Sequence, residues 1–90
     1  MSKAVVDPGE VRRFAQSLKQ FNTELRDRMA TLHGQLMALG DTWRDQEHEK
    51  FAEEFTQTMH VLHAFVEVAD QHIPFLLRKA ERIEQYLQQR

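Results

Sequence analysis

The most informative absences in this 90-residue chain concern cysteine, glycine, proline and long apolar runs. There is no cysteine, so a disulfide framework and a thiolate metal site are both excluded. With three glycines and two prolines the chain has few helix breakers. No apolar run approaches the roughly 20 residues that a membrane-spanning helix needs, so we expect no membrane insertion.

The chain also has no marked excess of basic or acidic residues, because the two kinds are mixed along it and the net charge is only -2. Nucleic-acid binding needs a basic stripe or patch, and we therefore expect no nucleic-acid partner. The first eight residues lack the apolar core of a general secretory signal, so any export is expected to use another route. The composition is typical of a small helical protein with long charged faces.

Two long stretches of helical periodicity predict an all-α antiparallel hairpin. The first begins at Asp7 and Pro8, which suit a helix N-cap and first position. Its apolar seam, with one stutter near Met29, comprises Val11, Phe14, Leu18, Phe21, Leu25, Met29, Leu32, Leu36 and Leu39. The second seam comprises Phe51, Phe55, Met59, Leu62, Val66, Ala69, Ile73, Leu76, Ala80, Ile83 and Leu87. We expect one domain over residues 1–90, with residues 1–6 as a loose tail.

Pro74 lies inside the second periodic stretch. An interior proline removes one hydrogen bond and kinks or breaks a helix. We therefore predict a helix over residues 44–72, a kink or short break at 72–74, and a last segment over 74–88.

A further apolar row on the second helix lies about 100° from its seam and predicts an interface. The row comprises Val61, Phe65, Val68 and Phe75. A two-helix hairpin buries one stripe per helix, so a second row calls for another cover. Either a second hairpin covers it, which gives a four-helix bundle, or Pro74 folds the last segment back over its own hairpin.

The stretch between the two seams contains Gly40, Trp43 and Asp45 and predicts a short turn. Gly40 suits a left-handed helix C-terminus. Asp41, Thr42 or Asp45 suits the N-cap of the next helix. A tryptophan at such a place either plugs the end of the helix pair or takes part in recognition, and the two roles are compatible.

This turn, with two long amphipathic helices around it and aromatic residues at Phe51 and Phe55, resembles the WXG100, or ESAT-6-like, family. The resemblance implies a paired hairpin, as a homodimer or a paralogous heterodimer, made in the cytoplasm and exported without a cleaved signal by a type VII-like secretion system. Two departures stand out. The family's Trp-x-Gly is Trp43-Arg44-Asp45 here, and Tyr86 is followed four residues later by Arg90 instead of an acid. An intracellular adaptor or chaperone-like helical module is the alternative.

Chemistry-bearing clusters are sparse, and we expect neither an enzyme nor a cofactor. His60, His63 and Glu67 lie along one edge of the second helix. Zinc needs at least three ligands that converge on one point, so we predict no metal site there. The acidic residues at the start of the second helix suit the helix dipole. Their pattern indicates a solvated face.

Overall fold

The computed structural model describes residues 6–88 and contains two α-helices joined by a six-residue connection. Helix α1 runs Pro8–Leu39 and helix α2 runs Gln46–Gln88. They pack side by side as an antiparallel hairpin 69 Å long, 25 Å wide and 15 Å thick. The predicted all-α hairpin of two long helices is confirmed. Of the predicted tail over residues 1–6, residues 1–5 lie outside the described part.

Helix α1 begins where the sequence predicts. The Asp7 carboxylate accepts hydrogen bonds from the backbone N–H groups of Gly9, at 2.8 Å, and Glu10, at 3.4 Å. These are donors without a partner inside the helix, so the cap stabilises the first turn. Pro8 at the first helical position already has the φ that the helix needs.

The core is a single seam in which α1 buries one residue every seven positions. The buried residues of α1 are Ala15, Asn22, Met29 and Leu36. Those of α2 are Val66, Ala69, Ile73 and Ala80. A seven-residue repeat with partly buried leucines between its members, such as Leu18 and Leu25, is the pattern of two helices in a coiled coil.

The predicted seam of α1 is wrong at four positions, because Phe14, Phe21, Leu32 and Leu39 are exposed. At the first two, the next residues, Ala15 and Asn22, are in the core instead. One residue corresponds to about 100° around a helix, so the observed row lies beside the predicted one. With Ala15 and Asn22 in place, the stutter near Met29 disappears. Of the predicted α2 seam, Phe51 and Leu87 are likewise exposed.

Helix α2 is continuous through Pro74, so a break there is wrong and the last segment does not fold back over the hairpin. A kink at this position, the alternative to a break, stays a prediction. Because proline has no N–H, the carbonyl of Asp70, four residues earlier, loses its donor within the helix. Pro74 itself is exposed, and water can replace that donor at the surface. Burial of the seam on both sides, at Ile73 and Ala80, holds the helix in register across the proline.

Candidate interaction surface

One broad flank of the hairpin carries large apolar side chains from both helices. Phe14 is 60 % exposed and Phe21 is 51 % exposed on α1, while the predicted row Val61, Phe65, Val68 and Phe75 is exposed on α2. The rings of Phe21 and Phe65 meet edge to face with centroids 6.4 Å apart. The two sets of side chains therefore form one surface.

A groove of about 520 Å³ lies on this flank. Its lining residues, which we call the phenylalanine groove, are Phe14, Leu18, Phe65, Val68, Ala69, His72, Phe75 and Leu76. His72 is the one titratable side chain among them. Three of the four predicted interface residues line the groove, and Val61 lies on the same helix outside it. Sequence reasoning missed the contribution of Phe14, because it placed that side chain in the core.

The connection at residues 40–45 forms the second candidate site. Gly40 has φ -62° and ψ -17°, so the predicted left-handed conformation is wrong and the end of α1 stays right-handed. A Cβ on Gly40 would lie 3.3 Å from the carbonyl oxygen of Met37 and 3.6 Å from the ring of His48. The second distance is an ordinary van der Waals contact, so only the carbonyl of Met37 lies tight against this position.

Asp45 caps α2, as one of the three predicted candidates. Its carboxylate accepts a hydrogen bond of 2.9 Å from the backbone N–H of His48. That bond favours the ionised carboxylate and lowers the pKa of Asp45 below its usual value. None of residues 6–88 has a positive φ, so an aspartate serves at this place as a cap without adopting a left-handed backbone.

Trp43 is half-buried and packs against the start of α2. Its ring centroid lies 5.0 Å from that of His48 and 6.4 Å from that of Phe51, and Phe51 in turn lies 6.0 Å from Phe55. The tryptophan therefore covers the first turns of α2, and its role as a plug for the helix pair stays a prediction. Phe51 leaves part of this aromatic cluster accessible to a partner.

The opposite flank carries ion pairs between the helices. Arg12 pairs with Glu84, and Arg26 pairs with Asp70. The hydrogen bond from Arg12 lowers the pKa of Glu84, and the hydrogen bonds from Arg26 and then Asn22 lower the pKa of Asp70. These pairs are solvent-accessible, so each contributes little to stability.

Histidines line a depression of about 310 Å³ on this flank, where His33 of α1 joins His60 and His63 of α2. Across residues 6–88, however, no three histidine, cysteine, aspartate or glutamate residues are grouped so as to hold a metal ion. Within the same range neither helix has a stretch long and apolar enough to cross a membrane.

Fold and surfaces together define a class, the small helical hairpin with a tryptophan-bearing turn and an unpartnered apolar flank. The family model of WXG100, proteins of 100 residues with WXG, matches residues 4–89. The chain belongs to the WXG100 family. Since this is a family of small helical proteins without enzymatic activity, the prediction that the chain is not an enzyme is confirmed.

Solved structures of a secreted protein EsxB from Bacillus anthracis str. Sterne share the fold. A selenomethionine-labelled form has a TM-score of 0.78 and 22 % identity, covering 96 % of this chain and 98 % of that one. A point mutant of the same protein, with alanine in place of a proline, has a TM-score of 0.80 and 22 % identity, covering 94 % and 96 %. No curated protein sequence matches the chain.

Proposed function

We propose that this protein works by pairing, with a second WXG100-type hairpin docking on the phenylalanine groove to complete a four-helix bundle. The observation that carries the proposal is the groove itself, to which Phe14, Phe65, Val68 and Phe75 contribute large side chains that are half or more exposed. Exposed apolar patches of this kind mark interaction sites.

The dimensions of the hairpin support the same proposal. Its accessible surface is 7582 Å², whereas a compact monomer of 10.7 kDa is expected to expose about 5,500 Å². The excess of roughly 2,000 Å² on one hairpin is larger than the roughly 800 Å² that each partner buries in a standard protein interface. The hairpin is only 15 Å thick, and none of residues 6–88 forms a second layer that covers the groove.

The partner we propose is a helical hairpin of the same kind, either a second copy or a paralogue. A long groove between two helices accepts the apolar ridge of another helix along its length. The net charge of -2 imposes little repulsion between two copies. The pairing unit is the whole chain, residues 1–90, as a single domain.

We further propose that the pair is made in the cytoplasm and leaves the cell through a type VII-like secretion system without a cleaved signal. Support comes from the family and from the fold shared with a protein described as secreted. The turn with Trp43 and the accessible Phe51 is the surface we assign to recognition by that system.

The deciding experiment is light scattering on a sizing column over a range of concentrations, with the chain alone and co-expressed with a related hairpin. The mass of two chains in the sample of the chain alone supports self-pairing. The mass of two chains found only in the co-expressed sample supports a paralogous pair. A monomer in both samples would contradict pairing, and a single larger cytosolic client recovered with it would favour the adaptor alternative.

Export is tested separately by assaying the culture medium for the intact chain, with and without the ATPase of the secretion system. Dependence on that ATPase is the expected result. A Trp43→Ala variant should remain in the cell while its solution mass is unchanged. Equal amounts of the native chain and the variant in the medium would refute the role of the turn.

A further inference from the structure

Asn22 is the one polar residue among the buried positions of residues 6–88. Its side-chain N–H donates a hydrogen bond of 2.9 Å to Oδ1 of Asp70, whose other oxygen accepts from Arg26. Its own oxygen, Oδ1, is enclosed and accepts no hydrogen bond from residues 6–88. We propose that Asn22 is a specificity-determining residue, which fixes the register of the two helices and thereby assembles the phenylalanine groove.

The alternative that must be excluded is a slip of one helix by seven residues. Facing rows of the hairpin repeat with that period and comprise Arg12, Lys19, Arg26 and His33 on α1 and Glu84, Leu77, Asp70 and His63 on α2. Arg12 and Arg26 contact their acidic partners. Lys19 and Leu77 line one depression, and His33 and His63 line another, so all four pairs share one register.

Charge alone does not select this register. After a slip of seven residues Lys19 would face Glu84 and His33 would face Asp70, so acidic groups would again lie opposite basic side chains. The apolar core positions also repeat every seven residues and would meet apolar positions again. The slip lengthens the path between the helix ends by about 10 Å, which unwinding the first turns of α2 supplies.

Asn22 does discriminate between the two registers. In the slipped arrangement Leu77 would take the place of Asp70 beside it, and the buried amide would lose its partner. A buried polar group without a partner carries a free-energy cost that an apolar side chain at the same place does not have. A single buried asparagine is a known means of fixing register in paired helices.

Register matters because the groove is composite. Phe14 and Leu18 come from α1, whereas Phe65, Val68 and Phe75 come from α2. A slip of seven residues would move one set by about 10.5 Å relative to the other and would separate Phe21 from Phe65. The use of the groove for pairing rests on the function proposed above, but the register is a property of one chain.

Crosslinking inside one chain tests the proposal. Because the native sequence has no cysteine, only the introduced cysteines can react. Lys19→Cys with Leu77→Cys reports the observed register, and Lys19→Cys with Glu84→Cys reports the slipped one. Both pairs are placed in the native background, in Asn22→Leu, in Asp70→Asn and in a matched control, Gln16→Leu, at an exposed position of α1. A short bismaleimide is added, and mass spectrometry separates crosslinks within a chain from those between chains.

In the native background only the first pair should react. Asn22→Leu should raise the slipped-to-native ratio on the order of tenfold, since an unpaired buried amide corresponds to about that factor. Gln16→Leu and Asp70→Asn should leave the ratio unchanged, the latter because the amide oxygen still accepts from Asn22. An unchanged ratio in Asn22→Leu, with helicity retained by circular dichroism, would overturn the proposal whether or not the hairpins pair.

Discussion

Phe65 and Val66 are neighbours in the sequence with opposite environments, and truncating each to alanine separates pairing from folding. Val66 is fully buried in the seam, whereas Phe65 is 50 % exposed beside the groove. Phe65→Ala should therefore weaken association and leave the hairpin folded. Val66→Ala should destabilise the hairpin itself.

The magnitudes follow from the exposed and buried areas. A phenylalanine side chain has about 200 Å² of surface, so pairing would bury about 100 Å² more of Phe65. At about 25 cal/mol per Å² this is about 2.5 kcal/mol, or a loss of roughly 70-fold in affinity. Val66→Ala removes two methyl groups, which corresponds to about 1.6 kcal/mol before any cavity cost is added.

Sedimentation equilibrium gives the dissociation constant, and denaturant unfolding at high dilution gives the stability of the single hairpin. Gln71→Ala, at an exposed position of α2 outside the groove, is the control and should change affinity by only a few fold. A dissociation constant for Phe65→Ala within about threefold of the native value would refute the assignment of the groove as the pairing surface.

Three further predictions concern stability. The pKa of Asp70 and that of Glu84 are lowered in the folded state, so both carboxylates stabilise the hairpin above their unfolded pKa of about 4. The free energy of unfolding, measured against pH, should therefore fall as the pH drops below about 4, and it should fall less in Glu84→Gln; an equal fall in that variant would contradict the role of Glu84. Asp45→Ala removes the cap of α2 and should lower the melting temperature by roughly 4–8 °C, whereas Asp45→Asn, which keeps an acceptor, should melt near the native temperature. Pro74→Ala restores the missing N–H in a continuous helix and should raise the free energy of unfolding by up to about 3 kcal/mol. A lower free energy of unfolding in this variant would contradict the prediction and show that proline fits this position better than alanine.

The sequence predicts the fold well because its signal is long. Two apolar repeats, over residues 11–39 and 51–87, and a cap at Asp7 are local features that can be recognised without tertiary information. The position of the turn is predictable for the same reason, since Gly40 and Asp45 are chemically distinct from their surroundings. Its backbone is not, because glycine is compatible with a left-handed or a right-handed end of α1, and the structure has the right-handed one.

The candidate site is only half predictable. On α2, Phe65, Val68 and Phe75 lie beside a complete apolar seam, so the sequence shows more apolar residues than one seam needs. On α1 the sequence shows no such excess, because Asn22 occupies a core position and Phe21 beside it completes the apolar pattern in its place. Hydrophobicity alone ranks phenylalanine above asparagine for burial, and only the partner Asp70 on the other helix reverses that order.

Small residues in the core explain why the exposed phenylalanines form a groove and not two separate ridges. Ala15, Ala69 and Ala80 are buried where the helices touch, and the distance between helix axes falls as the side chains at the contact become smaller. Close axes bring the flanks together, so that the rings of Phe21 and Phe65 touch across the seam. Larger residues at the alanine positions would move the helices apart and divide the groove along its length, which makes the size of the core side chains a condition for the proposed pairing.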